Sequence, residues 1–341
     1  MQEQKIKCVV WDLDNTLWDG VLTEDINVTL KDGVIDIIKS LDERGILQSI
    51  ASKNNFDDVY SKLKEFGIDE YFLYPQINWN PKSSSIEEIA KKLNIGMDTF
   101  AFVDDQEFER EEVKHAIADV CVIDAADAAD MLGMDRFIPR FITEDTKNRR
   151  KMYIASKKRE ETEQEFQGTS EEFLKTLDMK LTIAPVTEED LQRAYELTIR
   201  THQLNSTGYT YSYDELRGFI DSDEHIFLIA DLKDKFGDYG KIGLILLENK
   251  EDLKIKLLLM SCRVMSRGVG SAILIYLAKL RNKLGKRMFG EFKTTDKNRI
   301  MYITYKLMGF DEIEDNDGDV LLEYVSEDEK NFPDYFDVDI Y

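Results

Sequence analysis

Cysteine is scarce in this chain: 341 residues contain three, Cys8, Cys121 and Cys262. They lie far apart, and two of them fall in apolar, strand-like segments, so neither a disulfide framework nor a zinc site is expected. No apolar run approaches the length of a membrane span. The polar opening Met1-Gln2-Glu3-Gln4-Lys5 has no secretory core, and the cytoplasm is the expected location. Repeats and low-complexity tracts are absent. Basic charge is in deficit, with 45 Lys and Arg against 68 Asp and Glu and a net charge of −23. Such a surface argues against nucleic acid or an anionic membrane as partner. About half of the excess is local: residues 311–341 carry 13 acids and one base, and they read as an acidic tail.

What is present suffices for two domains with a core in each, since 43% of the residues are apolar. The most informative segment is Cys8-Val9-Val10-Trp11-Asp12-Leu13-Asp14-Asn15-Thr16. It reads as a buried strand ending in acid. A strand period of two puts Asp12 and Asp14 on one side. Two close carboxylates repel unless a cation lies between them, and oxygen-loving Mg²⁺ suits that place. One acid attacking phosphorus and the other moving a proton is the chemistry such a pair serves.

Three later segments extend the pattern. Ile46–Ala51 reads as a second strand with Ser52-Lys53-Asn54-Asn55 at its end, where a hydroxyl can hold a phosphate oxygen. Pro81-Lys82-Ser83 precedes the amphipathic stretch Ile86–Leu93, with Ser83 or a neighbour as the expected cap. Thr99–Val103 is a third strand with Asp104-Asp105 at its tip. Between the first strand and the helix at Val34–Leu41 there is room only for a small flap, with Trp18 either on it or in the core.

In this order the four segments resemble the haloacid dehalogenase (HAD) superfamily, over roughly Lys5 to Asp124. The resemblance implies Asp12 as nucleophile and Asp14 as general acid and base, whose backbone carbonyl helps hold Mg²⁺. It further implies Ser52 on the transferring phosphoryl group, Lys82 as the neutralising cation, Asp104 as a direct Mg²⁺ ligand and Asp105 as its support. No cap domain is expected, so the site is open.

Residues 144–176 are highly charged and read as a helical linker between an HAD-like domain, 1–143, and a second domain, 177–341, that includes the acidic tail. The second half alternates strands near Lys180–Pro185, His225–Asp231, Lys241–Glu248, Leu253–Val264, Arg287–Phe292 and Asp319–Val325 with helices at Leu191–His202, Asp214–Ile220, Ser271–Leu284 and Arg299–Leu307. That order resembles the GNAT acyltransferase fold. The overall class is therefore α/β: an uncapped, Rossmann-like parallel-sheet domain followed by a mixed-sheet domain. The segment Arg267-Gly268-Val269-Gly270 with Ser271 looks like the loop whose amides cradle a pyrophosphate. Tyr305 stands where the family keeps its general acid, or is a core aromatic. Met265 replaces the usual Gln or Arg, which points from coenzyme A towards the phosphopantetheine arm of an acyl carrier protein, contacted through Arg263, Arg267 and Lys293.

Together the halves, with Lys7–Gly20, Arg200–Asn205 and Ser261–Val264, resemble the FkbH-like proteins. That resemblance implies transfer of a glyceryl group from 1,3-bisphosphoglycerate to a carrier-protein thiol in polyketide-type biosynthesis. It also implies the form without the additional N-terminal domain of some relatives. The rival readings are a HAD-IIIC phosphatase of a small phosphorylated metabolite and a non-catalytic scaffold that binds a carrier protein. Cys262 lies nearer the second-half groove than Cys8, and both thiols are expected to be buried and inert.

Overall fold

The computed structural model describes residues 4–341; Met1–Glu3, the start of the polar opening, lie outside the described residues. The chain divides into two compact units, one ending at Ile154 and the other spanning Ala155–Tyr341.

The first unit contains β1 (Cys8–Trp11), β2 (Trp18–Asp19), β3 (Thr29–Leu30), α1 (Val34–Glu43), β4 (Leu47–Ser52), α2 (Phe56–Glu65), β5 (Gln76–Ile77), α3 (Lys82–Leu93), β6 (Phe100–Asp104), α4 (Glu107–Ala116), β7 (Cys121–Asp124) and α5 (Glu144–Lys147). Five strands form a parallel sheet in the order β5-β4-β1-β6-β7. A parallel sheet covered on both faces needs apolar residues at every position. The sequence CVVW supplies them: Val9 and Trp11 join one apolar cluster, Cys8 and Val10 the other. The order reverses at β1, because β4 lies on one side of it and β6, reached later in the chain, on the other. In such sheets a crevice opens beyond the carboxyl ends of the two strands at that switch point, here at Asp12 and Asp104. The β2–β3 hairpin is the small flap.

Helix α6 (Arg149–Glu165) contains the division between the units and α7 (Ser170–Lys175) follows it. The charge in this stretch is not simply solvated. In the first unit Arg150 pairs with Asp42 at 3.0 Å and Glu70 at 2.9 Å. In the second, Arg159 is buried in a bidentate pair with Asp234, at 2.5 and 2.8 Å, and lies over the Tyr239 ring.

The second unit continues with β8 (Met179–Pro185), α8 (Leu191–Arg200), α9 (Tyr213–Ile220), β9 (His225–Asp234), β10 (Gly237–Asn249), β11 (Leu253–Met260), α10 (Val269–Leu284), β12 (Met288–Lys293), α11 (Arg299–Met308), β13 (Phe310–Asn316), β14 (Asp319–Tyr324) and β15 (Phe336–Ile340). These eight strands form one mixed sheet, ordered β13-β14-β12-β11-β10-β9-β8-β15. The acidic end of the chain is therefore not a loose tail. Its last strand pairs in parallel with β8 from Phe336↔Met179 to Ile340↔Ile183, and Lys180 meets Asp339 at 2.7 Å. Strand β11 also ends sooner than its apolar run, at Met260, because Cys262–Val264 forms a tight turn in which the Ser261 side chain accepts from the Arg263 amide. Strands β11 and β12 pair in parallel only over Leu253–Ile255 and Met288–Gly290. Beyond that they part, and the chain's own Leu204–Ser206 lies between them. Met260 N donates to Leu204 O at 2.8 Å, and Lys293 N donates to Ser206 O at 2.9 Å.

Candidate active site

Three charged side chains meet at the switch point. Lys82 is the first residue of α3 and sends its ammonium back under the sheet edge to Asp12, with Asp104 Oδ2 at 3.3 Å and the Ala51 carbonyl at 2.7 Å. All three are buried: Asp12 is 5%, Lys82 3% and Asp104 0% exposed. The Ser52 hydroxyl, at the end of β4, lies beside the Asp12 carboxylate and favours its charged form. Burial pushes Asp12 upward, opposed by the Lys82 charge. It pushes Asp104 up to about 6, with the neighbouring Asp12 charge adding to the shift. Burial works against the Lys82 charge as well, but Asp12 and Asp104 outweigh it and hold the ammonium above the usual lysine value.

The carboxylates of Asp12, Asp104 and Asp105 each place an oxygen within 4.8 Å of the others. Asp105 Oδ1 is buried without a hydrogen-bond partner, and Asp104 Oδ2 has only the Lys82 ammonium at 3.3 Å, with no hydrogen bond in good geometry. Buried carboxylate oxygens without donors are costly unless a cation compensates them. An all-oxygen, hard donor set of this kind fits Mg²⁺. Asp105 is thus a full member of the cluster, held by its amide on Thr16 Oγ1 at 3.1 Å.

The Asp14 carboxylate does not join that cluster. Strand β1 stops at Trp11, and the chain turns at Asn15, whose φ is 54°, so the two-residue alternation does not carry through Asp14. Its Oδ1 accepts from Trp18 Nε1 at 2.8 Å and from the Leu22 amide at 3.0 Å, and its Oδ2 accepts from Asn54 Nδ2 at 3.0 Å. Trp18 is both a flap residue and fully buried. Ser83 does not cap α3. Pro81 occupies the cap, and the Ser83 amide and hydroxyl are both bonded by Glu112 of α4. Sequence reasoning did not single out Asn54, Thr16 or Glu112. For Asn54 the only signal was its place just beyond a strand end.

In the second unit the expected loop residues are otherwise engaged. Arg267 is 8% exposed and paired with Glu163 at 2.9 Å. Gly268 caps α10 with φ 76°, and a side chain there would collide with the Tyr335 hydroxyl. Helix α10 starts at Val269, two residues before Ser271, and Gly270 packs against Met260 and Thr304. Tyr305 is not at an open general-acid position. It is fully buried against Phe310, and its hydroxyl lies beside Ser206 without a hydrogen bond in good geometry. Burial pushes its phenol above the usual value. A cleft of about 850 Å³ opens on the sheet near Tyr209, Lys256 and Leu321. Its Lys256 is bound to Glu291 at 2.5 Å and its Lys293 to Asp319 at 3.1 Å. Burial pushes the Cys8 thiol up, and Cys262 Sγ donates to Gln203 Oε1 at 3.6 Å. None of the three cysteines is in a disulfide among the described residues.

A family model described as haloacid dehalogenase-like hydrolase matches residues 21–123. The match includes Ser52, Lys82, Asp104 and Asp105 and begins after Asp14, so the placement of Asp12 and Asp14 rests on the geometry above. No curated protein sequence matches the chain. Among solved structures it is similar to the N-terminal part of protein BF1531 from Bacteroides fragilis, which contains a phosphatase domain and is complexed with Mg. Identity is 30%, over 39% of this chain and 40% of that one, with a TM-score of 0.35. The chain thus spans about 40% of that relative's length. It is also similar to the ribosomal-protein-S18-alanine N-acetyltransferase of Escherichia coli, at 15% identity over 45% of this chain and 99% of that one, TM-score 0.34. A HAD-superfamily hydrolase from Ehrlichia chaffeensis gives 15% identity over 38% and 97%, TM-score 0.32. No helix among the described residues is long and apolar enough to cross a membrane.

Proposed function

We propose that the first unit is a Mg²⁺-dependent phosphoryl-releasing enzyme of the haloacid dehalogenase type. The observation that carries this reading is the buried Asp12–Lys82–Asp104 cluster, in which one lysine faces two carboxylates and Asp105 adds an unpartnered oxygen. Asp12, Asp104 and Asp105 would hold the metal, which supplies positive charge to the phosphoryl oxygens when bound. An Asp12 oxygen attacks phosphorus, and the bond from phosphorus to the leaving oxygen breaks with its electron pair going to that oxygen. Asp14 gives the leaving oxygen a proton where it needs one. Water then attacks the aspartyl-phosphate, Asp14 takes its proton, and Asp12 and inorganic phosphate are regenerated. Lys82 holds Asp12 in line and offsets the phosphate charge. Ser52 supplies a fixed donor at the same edge.

At finer grain the proposed substrate is an acyl phosphate such as 1,3-bisphosphoglycerate, with its glyceryl group passing to the phosphopantetheine thiol of an acyl carrier protein. The carrier thiol then competes with Asp12 for the same acyl phosphate. Thiol sulfur bonds to the acyl carbon, the bond from that carbon to the phosphate oxygen breaks, and phosphate leaves carrying the thiol proton, while Asp12 attacks phosphorus when no thiol is in place. The FkbH-like resemblance supports this reading, and so does a flap too small to enclose the site. Incubation with 1,3-bisphosphoglycerate, Mg²⁺ and holo carrier tests it by phosphate release and by the intact mass of the carrier. A glyceryl adduct supports transfer. Phosphate release with an unchanged carrier mass leaves a phosphatase only, and no phosphate release from 1,3-bisphosphoglycerate, with or without the carrier, overturns both.

A further inference from the structure

We propose that Asn54 is a positioning residue for Asp14, fixing which carboxylate oxygen delivers the proton to the leaving group. This rests on the phosphoryl-transfer reading above. Asn54 is 2% exposed and follows β4 by two residues. Its own Oδ1 accepts the Asn55 amide at 2.9 Å. That bond settles the orientation of the side-chain amide: Nδ2 must face outward, and it meets Asp14 Oδ2 at 3.0 Å. The opposite oxygen, Oδ1, is already bonded by two donors from the flap, Trp18 Nε1 and the Leu22 amide. Asp14 is therefore pinned from two independent elements, and its rotation is blocked. With Oδ1 doubly engaged, Oδ2 is the oxygen left to carry a proton, and Asn54 sets its direction. A carboxylate that wanders by even a fraction of a turn loses proton-transfer geometry.

A leaving group that departs as a stable carboxylate has little need of a proton, whereas an alkoxide requires one. Asn54 should therefore matter most for alkyl phosphates. Compare kcat/KM, which reports steps up to leaving-group departure, for acetyl phosphate and glycerol 3-phosphate in wild type, Asn54→Asp, Asn54→Leu and Asp14→Asn. Asn54→Asp keeps the size and the acceptor for the Asn55 amide but loses the donor. The expected result is that both Asn54 variants lose at least about tenfold more on glycerol 3-phosphate than on acetyl phosphate, as Asp14→Asn does. Equal losses on the two phosphates, or no loss, overturn the inference. If Asp14→Asn alone is selective, only the role of Asn54 falls. If wild type cleaves neither phosphate, the proposed function falls with it.

Discussion

In the proposed reaction Asp12 is both nucleophile and metal ligand, so Asp12→Asn would remove both at once. Phosphate release should fall by at least about a thousandfold, while the circular dichroism spectrum stays that of wild type. Asp104 makes the metal visible in stability. Its carboxyl is pushed up to about 6, above its unfolded value, so ionising it costs the metal-free fold stability above that pH. The cost shrinks as pH falls through the folded value and is gone below the unfolded one. Mg²⁺ should therefore raise the melting temperature more at about pH 8 than at about pH 5, where protons compete for the same oxygens. Equal shifts at the two pH values would show that these carboxylates do not hold the ion. That Asp12, Lys82 and Asp104 meet was legible beforehand, because four segments in order pointed to one strand-end cluster where the first alone would fit a solvated turn as well. The direction of the Asp14 side chain was not, since the left-handed Asn15 breaks an alternation that composition alone extends. Nor was the pairing of Arg267 with Glu163, which brings together residues 104 positions apart.

Elements explain why those side chains arrive together. Helix α3 begins at Lys82 because Pro81 pre-sets the backbone there, and Glu112 of α4 takes over the capping role. Glu112→Ala should lower thermal stability by about 1 kcal/mol, with some loss of activity as the Lys82 end of the helix frays; a melting curve and a phosphate assay check both. Strand β15 shows the limit of reading by pattern. FDVDI is acidic, and little in it announces a strand beside its partner more than 150 positions away. Its anchor is Phe336, buried in the second core, and Phe336→Ala should cost about 3 kcal/mol in denaturant unfolding. The segment Leu204–Ser206 between β11 and β12 gives a third expectation. With that gap filled by the chain itself, and Arg267 bound to Glu163, acetyl-CoA should give no heat of binding by calorimetry. Micromolar binding would mean that the segment leaves the gap.

At the scale of the whole chain, charge is the dominant fact. A net charge of −23 spreads self-repulsion over the surface, and salt screens it. The melting temperature should rise from low to physiological ionic strength, where an unchanged value would mean that ion pairs such as Lys180–Asp339 offset the repulsion locally. The α/β class of both units followed from alternating strand and helix signals, whereas the mixed sheet's two outer strands did not: β15 pairs with distant β8, and β13, though a hairpin partner of β14, is exposed and acidic along nearly its whole length. The central claim, a phosphoryl site built on Asp12, is tested most directly by acid-quenching the protein during turnover of a radiolabelled acyl phosphate and mapping the labelled peptide. Mg²⁺-dependent label is expected on the peptide containing Asp12, and none in Asp12→Asn. Phosphate release without protein-bound label, persisting within about tenfold of wild type in Asp12→Asn, would contradict it.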